Sequence, residues 1–376
     1  MVILNLKMNN ILAFNDFEVN FSYPKKLNKT LIPNENLNNK PSFRYKKLNI
    51  FIGSNATGKT SLIKCIWTIL LFLNRREQNI IEEIINQNGK PASIELDYAD
   101  EEENKSYLKR IIIKYDNNEL KMGYNYLSIR DNDSYESRSK NFEGMTFSLL
   151  KPIDFFQTMN ISSGWNIVLP ATEKGFDTVK FADIQNDEEE KEYFNILNQV
   201  LKTLDSSIIN VTKSMDAPNA IVIKHENANT IIIQAGYSIS SINYLSSGTK
   251  YGINLANILF SIKYHKNGIY LIDEQFSYVN SDVEASILST MVSMLGPNEQ
   301  LFFTTHNSNI LELGFPFHSF NFMKKVNVGG KQKIEVSCAT EVENRNNVSP
   351  KSILDNDMLG TAPNVNRIFE IGEVND

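Results

Sequence analysis

The spacing of apolar positions changes several times along the chain, and each change predicts an element. Ile11, Ala13, Phe17, Val19 and Phe21 alternate with polar residues, the period of an antiparallel hairpin. Residues 24–42 are rich in Pro, Asn and Lys and read as a loop. Leu48-Asn49-Ile50-Phe51-Ile52 is a short apolar strand that runs straight into Gly53, and a strongly apolar helix is expected from Thr60 to about Leu73. Strand-like runs follow at Ser93–Tyr98, Ile111–Tyr115 and Tyr124–Ile129, set apart by charged or Asn-Asp turns. The acidic run Asp187–Glu190 opens a helix with Tyr193, Ile196, Leu197, Val200, Leu201 and Leu204 on one stripe. Acids in a first turn complement the helix dipole, so this run reads as a solvated helix start and not as a metal site.

From Ile221 the order becomes regular. Strands at Ile221–Lys224 and Thr230–Gln234 precede a long helix that ends near Lys266. A strand at Ile269–Ile272, a helix from about Asp282 to Leu295, a strand at Leu301–Thr305 and a mixed tail complete the chain. No segment sustains the heptads of a coiled-coil arm, and no internal repeat is found.

Composition narrows the classes. The 376 residues are 41% hydrophobic and 22% charged with a formal net charge of −6, ordinary for a globular chain and unsuited to coating nucleic acid. Lys25, Lys26, Arg44, Lys46 and Lys47 form a modest basic cluster that reads as ordinary solvated lysines and arginine. Cys65 and Cys338 have no Cys or His at zinc spacing and cannot form a disulfide framework, so they read as reduced thiols. No basic, apolar and small-residue leader follows Met1, and the longest apolar run, Ile66 to Leu73, is too short for a bilayer of about 30 Å. A cytoplasmic protein without a membrane partner is expected.

The chemistry is concentrated in four phrases. Gly53-Ser54-Asn55-Ala56-Thr57-Gly58-Lys59-Thr60 fits G-x-x-x-x-G-K-[ST] at every position, between an apolar strand and a helix. Glycines let backbone N–H groups turn toward phosphate oxygens, and the helix adds its positive end. Lys59 is expected on the β- and γ-phosphates of ATP and the Thr60 hydroxyl on Mg²⁺, with Ser61 completing the loop. Tyr270-Leu271-Ile272-Asp273-Glu274 is a strand ending in two acids. Asp273 would serve the Mg²⁺, and Glu274 would polarise the attacking water as general base. In Leu245-Ser246-Ser247-Gly248-Thr249-Lys250, residues Ser246, Ser247 and Gly248 would cap a helix and offer N–H groups to an anion. His306 closes Phe302-Phe303-Thr304-Thr305-His306 at a strand end; His225, His265 and His318 lack such a context.

These phrases resemble ABC-type ATPases, whose signature is normally L-S-G-G-Q. "LNIFIGSNATGKTSLIK", "LSSGTKYG", "YLIDE", "FTTHNSNIL" and the tail Asp357-Met358-Leu359-Gly360-Thr361-Ala362-Pro363 are similar to those of bacterial anti-phage and abortive-infection ATPases. The likeness extends to the ATPase half of OLD-family proteins, to the ATPase component of PARIS-type defence and, distantly, to RecF and SMC-like proteins. It covers both ends of the chain and fades from about residue 75 to 220.

The resemblance implies an α/β ABC-ATPase head: a P-loop mixed sheet flanked by helices, with an antiparallel N-terminal lobe and a helical insertion. Residues 1–75 would form the N-terminal lobe, 76–220 a variable β/helical insertion, and 221–376 the C-terminal lobe. It also implies ATP hydrolysis between two chains joined head to tail, with Ser246 to Gly248 acting in trans and His306 as the switch histidine on the γ-phosphate, and a separate effector protein as partner. Gln157 is the candidate Q-loop residue at the metal, with Gln78 and Gln87 as alternatives, and Phe14 or Phe17 would meet the adenine. Val279-Asn280-Ser281 departs from the Leu-His-Pro or Leu-Asp phrase of relatives. A RecF-like DNA-binding ATPase is the alternative. Asp355-Asn356-Asp357 is a D-x-D pair, but no strand ending in Glu-Gly precedes it, which disfavours a nuclease.

Overall fold

The computed structural model describes residues 1–24, 30–86, 89–102, 105–158, 167–168, 181–226, 230–236, 247–274, 279–342 and 349–361. The chain opens with an antiparallel hairpin of β1 (Val2–Asn9) and β2 (Phe17–Asn20). Leu12 and Asp16, between the strands, take positive φ angles of 44° and 46°. Within the expected loop 24–42 the chain makes a second small hairpin, β3 (Asn36–Leu37) and β4 (Lys40–Arg44), turned by Asn39 at φ 58°. Strand β5 (Leu48–Ile52) is buried at every position, as expected of a strand covered on both faces. It delivers the chain to α1 (Lys59–Arg75).

Helix α1 is apolar around most of its circumference because it lies between two sheets. One is antiparallel, in the order β2-β1-β6-β7-β8. Its long strands are β6 (Ala92–Glu102), β7 (Lys105–Asp116) and β8 (Glu119–Ser128), after a short α2 (Gln78–Glu82). β6 pairs with β1, so residues 92–128 complete the N-terminal lobe. The expected boundary at 75/76 therefore separates no lobes, because strand pairing reaches across it. Short helices α3 (Tyr135–Arg138) and α4 (Pro152–Thr158) follow.

A third unit joins α5 (Asp187–Leu204) to an antiparallel sheet of β10 (Ile208–Lys213), β11 (Ala220–His225) and β12 (Thr230–Gln234). The boundary at 220/221 falls inside this sheet. Asn186 caps α5 through the Glu189 N–H, as the acidic start suggested, but Glu189 is enclosed and pairs with Lys266 at 3.0 Å instead of being solvated. Helix α6 (Ser247–Lys263) packs on α5 and on α7 (Ser281–Met294).

The second large sheet runs β16-β15-β5-β14-β13-β9, with β9 (Ile167–Val168), β13 (Ile269–Asp273), β14 (Gln300–Thr305), β15 (Phe320–Val328) and β16 (Lys331–Cys338). All its pairings are parallel except β15 with β16. α6 and α7 cover one face of it, and α1 the other. Helix α8 (Pro350–Asp355) closes the described chain; Asp357 of the D-x-D pair accepts the Thr361 N–H in the turn after it. No helix among the described residues is long and apolar enough to cross a membrane.

Two lysines of the expected basic cluster are inside the molecule. Lys46 is 4% and Lys47 2% exposed, and Lys47 Nζ donates to the Leu295 carbonyl at 3.5 Å. Lys46 and Lys47 enter the innermost strand, which is why they are not solvated. Lys25 and Lys26 lie outside the described residues.

Candidate functional site

Three parallel strands, β5, β14 and β13, end side by side, and their carboxyl ends carry three of the four phrases. The register sets Ile52 opposite Thr305 and Asp273 opposite Thr304. Gly53, His306 and Glu274 therefore leave the sheet at one edge, the usual place for a ligand in an open α/β sheet.

The loop after β5 needs its glycines for different reasons. A Cβ on Gly53 would stand 2.4 Å from the Met323 carbonyl oxygen of β15. Gly58 caps α1 at φ 97° in the left-handed region, with Ile334 Cδ1 2.6 Å from where a Cβ would be. Ala56 also takes a positive φ, 63°. Ser54 is half-buried, Asn55 and Ala56 are exposed at the crest, and the buried Thr57 donates its hydroxyl to the Ser54 carbonyl at 2.8 Å. Thr60 is exposed and Ser61 half-buried in the first turn of α1.

Lys59 folds back under this loop with its side chain 2% exposed. Its Nζ donates to the carbonyls of Gly53 at 2.8 Å and Ser54 at 3.1 Å, and lies 3.3 Å from Glu274 Oε1. Burial lowers the lysine's proton affinity, and the Glu274 carboxylate opposes that. The same Glu274 Oε1 is 2.9 Å from His306 Nε2. Glu274 itself takes φ 45°, a strained angle for a side-chain-bearing residue.

Thr304 holds both acids, a role that no reading of the sequence assigned. Its hydroxyl donates to Asp273 Oδ1 at 2.6 Å and accepts the Glu274 N–H at 3.0 Å. Asp273 also accepts a hydrogen bond from Thr60, which joins the two sides of the site. Burial pushes the Asp273 carboxyl up, against the pull of Thr304 and Thr60. Thr305 points to the opposite face of β14. It donates to Glu284 Oε1 of α7 at 2.7 Å and accepts the Asn307 N–H at 2.9 Å. Asn307 Nδ2 donates to Glu284 Oε2 at 2.8 Å. His306 thus stands on a braced turn between β14 and α7. The Thr-Thr-His-Asn phrase was the available signal, but which threonine faces which acid depends on pairing register.

Other expected residues are placed elsewhere. Gln157 is exposed on α4, whose Phe156 packs edge-on against Phe72 at 5.6 Å and beneath Arg76. That is the far end of α1, about 20 Å of helix axis from Lys59. Phe155 and Phe156 fill core at that end and so fix α4 away from the loop after β5. Gln78 donates to Glu82 along α2, and Gln87 is outside the described residues. Phe14 and Phe17 are 0% and 3% exposed, and Phe14 lies beneath Gly58, so both rings form the floor of the loop and offer no face to an adenine. Ser246 lies outside the described residues. Ser247 and Gly248 begin α6, whose buried Thr249 donates to Asp205 at 3.4 Å. Asn280 caps α7 through the Asp282 N–H.

The same arrangement of strands and helices occurs in solved structures. An Smc head bound to the C-winged helix domain of ScpA superposes with a TM-score of 0.52 at 14% identity, over 91% of this chain and 99% of that one. The fold is that of an ABC-type ATPase head. An Smc head with an extended coiled coil, bound to the C-terminal domain of ScpA and derived from Pyrococcus furiosus, gives 0.50 at 11% identity over 91% and 97%. No protein-family model and no curated protein matches the sequence. In this fold the glycine loop after β5, the two acids and His306 lie at the carboxyl ends of adjacent strands.

Proposed function

We propose that this ABC-type head binds ATP and hydrolyses it between two copies of the chain joined head to tail. The observation that carries this reading is the meeting of Lys59, Thr60, Asp273, Glu274 and His306, brought from three strand ends within hydrogen-bond or ion-pair distance of one another. A buried ammonium held by two carbonyls and one carboxylate gains by exchanging them for phosphate oxygens. That exchange frees Glu274 from Lys59 and leaves its carboxylate beside His306, able to accept the proton of an attacking water. His306 then offers its Nε2 to the terminal phosphoryl group. Thr60 and Asp273, already hydrogen-bonded across the site, are a hydroxyl and carboxylate that suit Mg²⁺. When bound, Mg²⁺ would neutralise charge on the phosphate oxygens. Ser246, Ser247 and Gly248 would close the partner's site with the head of α6.

In this reading ATP-dependent pairing of heads controls a separate effector protein, as in a sensor or scaffold of anti-phage defence. The defence role is supported by the four sequence phrases. A protein partner is supported by the Smc heads, which are bound to parts of ScpA. The RecF-like alternative needs a basic groove, and the burial of Lys46 and Lys47 removes two of the five cations that would form it.

The test uses two variants. Lys59→Ala should lose ATP binding by calorimetry, at least about tenfold in Kd if one charge-assisted phosphate contact goes. Glu274→Gln should bind ATP normally, fail to release phosphate, and elute as a dimer only when ATP is present. A Glu274→Gln chain that still turns over ATP, or stays monomeric with it, would defeat the proposal.

A further inference from the structure

A cavity of about 440 Å³ opens near the entry to β5, whereas the glycine loop follows the exit of that strand. Tyr23, Lys46, His318, Asn321, Val336 and Cys338 are among its walls. Tyr23 and His318 stack at 3.9 Å and 8° and form a flat aromatic wall.

Glu18 and Glu341 also line the cavity, but the direct contacts of its buried cation, Lys46, are neutral. Lys46 is 4% exposed. Its Nζ donates to Asn321 Oδ1 at a long 3.3 Å and lies 3.7 Å from Cys338 Sγ. Among the described residues no carboxylate stands within 4.0 Å of it. The nearest acids are committed elsewhere. Glu35, behind His318, takes His318 Nε2 at 2.8 Å, the Tyr23 hydroxyl at 3.4 Å and the Lys47 N–H at 3.1 Å. Glu18 at the rim is held by Asn5 at 2.9 Å and Lys7 at 3.3 Å, and Glu341 accepts the Cys338 N–H at 2.8 Å. A charge withdrawn from water without a counter-ion is costly, and this one borders a chamber of ligand size.

We propose that this cavity binds a small aryl anion, its flat body against the Tyr23–His318 wall and its carboxylate or phosphate on Lys46. Lys46 selects the charge, and the aromatic wall selects the body. The site is independent of the phosphate loop.

Calorimetry on the full chain with 2-naphthoate, 2-naphthyl phosphate and the neutral 2-naphthamide tests it. One of the two anions should bind at one site, and the amide at least about tenfold more weakly, as loss of a charged hydrogen bond requires. Whether carboxylate or phosphate binds more tightly identifies the anionic group. Lys46→Met should weaken the anion by a similar factor while a melting curve shows the fold retained, since an apolar isostere of a buried unpaired charge is tolerated. Val336→Trp, which fills the chamber and leaves Lys46 in place, should abolish binding. Lys59→Ala should leave it unchanged. Equal affinity for naphthoate and naphthamide, wild-type binding in Val336→Trp, loss in Lys59→Ala, or no binding of any probe at millimolar concentration would each overturn the assignment.

Discussion

Gly53 cannot carry even a methyl group, although its φ lies outside the left-handed region. The Met323 carbonyl oxygen would be 2.4 Å from the added carbon, and a strand carbonyl has little room to retreat. Gly53→Ala should therefore lower stability by about 1–3 kcal/mol, the usual cost of overpacking. Under the proposed function it should also weaken ATP binding, because the loop must rise to make room. Thermal melting and nucleotide calorimetry would check both, and a variant with normal values for each would show that the loop yields freely. Glu284 gives a pH signature. Burial holds its carboxyl above the ordinary 4.5, although Thr305 and Asn307 pull the other way. A carboxyl that protonates more readily in the folded chain stabilises it below the ordinary value, and that stability drains away as pH rises through the raised one. Glu284→Gln should flatten the fall of melting temperature between pH 4.5 and neutrality relative to wild type. Parallel curves for the two proteins would show that Glu284 does not set the slope.

The crossing of α5 over α6 is set by Gly252, where a Cβ would lie 2.5 Å from Leu201 Cδ2 and 2.9 Å from Leu204 Cδ1. The two helices approach closely because nothing projects there. Gly252→Val should push α5 away and cost about 1–3 kcal/mol in urea denaturation, with Leu201→Ala on top of it restoring part of the loss. Purely additive losses would mean that the contact does not govern the crossing. Elements of this kind were largely legible in the sequence. The stripe from Tyr193 to Leu204 predicted α5, and the apolar run after Gly53 predicted α1, because helix periodicity depends on neighbours three and four residues apart. The loop after β5 was legible in part for a similar reason: Gly58 answers to local backbone geometry at φ 97°, whereas Gly53 answers to the Met323 carbonyl of a distant strand. The placement of Gln157 was not, because α4 is positioned by the packing of Phe156 on Phe72, and these two residues are far apart in the sequence.

Gln300 joins the two large sheets. It is 0% exposed, accepts the Ile3 N–H at 2.6 Å and donates to the carbonyls of Ile3 and Lys46 at 3.0 and 3.1 Å. Gln300→Leu would take this partner from the Ile3 N–H and carbonyl, while the Lys46 carbonyl keeps Asn49 Nδ2 at 3.1 Å, and should cost at least about 2 kcal/mol in urea denaturation. Limited proteolysis should then cut the N-terminal hairpin first. A leucine variant as stable as wild type would show that the sheets are held together by apolar contact alone. Residues 2–20 and 92–128 form one sheet, while the strands bearing the site come from residues 48–52, 269–273 and 300–305. The order of residues along the chain was enough to write down the glycine loop after β5, the two acids after β13, the histidine after β14 and most of the helices and strands, because each follows from preferences acting over a few bonds. It could not say that β14 lies between β5 and β13, that Thr304 grips both acids, that residues 92–128 return to the N-terminal lobe, or that Lys46 and Lys47 are buried. Those facts depend on which apolar faces cover one another across hundreds of residues, a choice made by the packing of the whole chain.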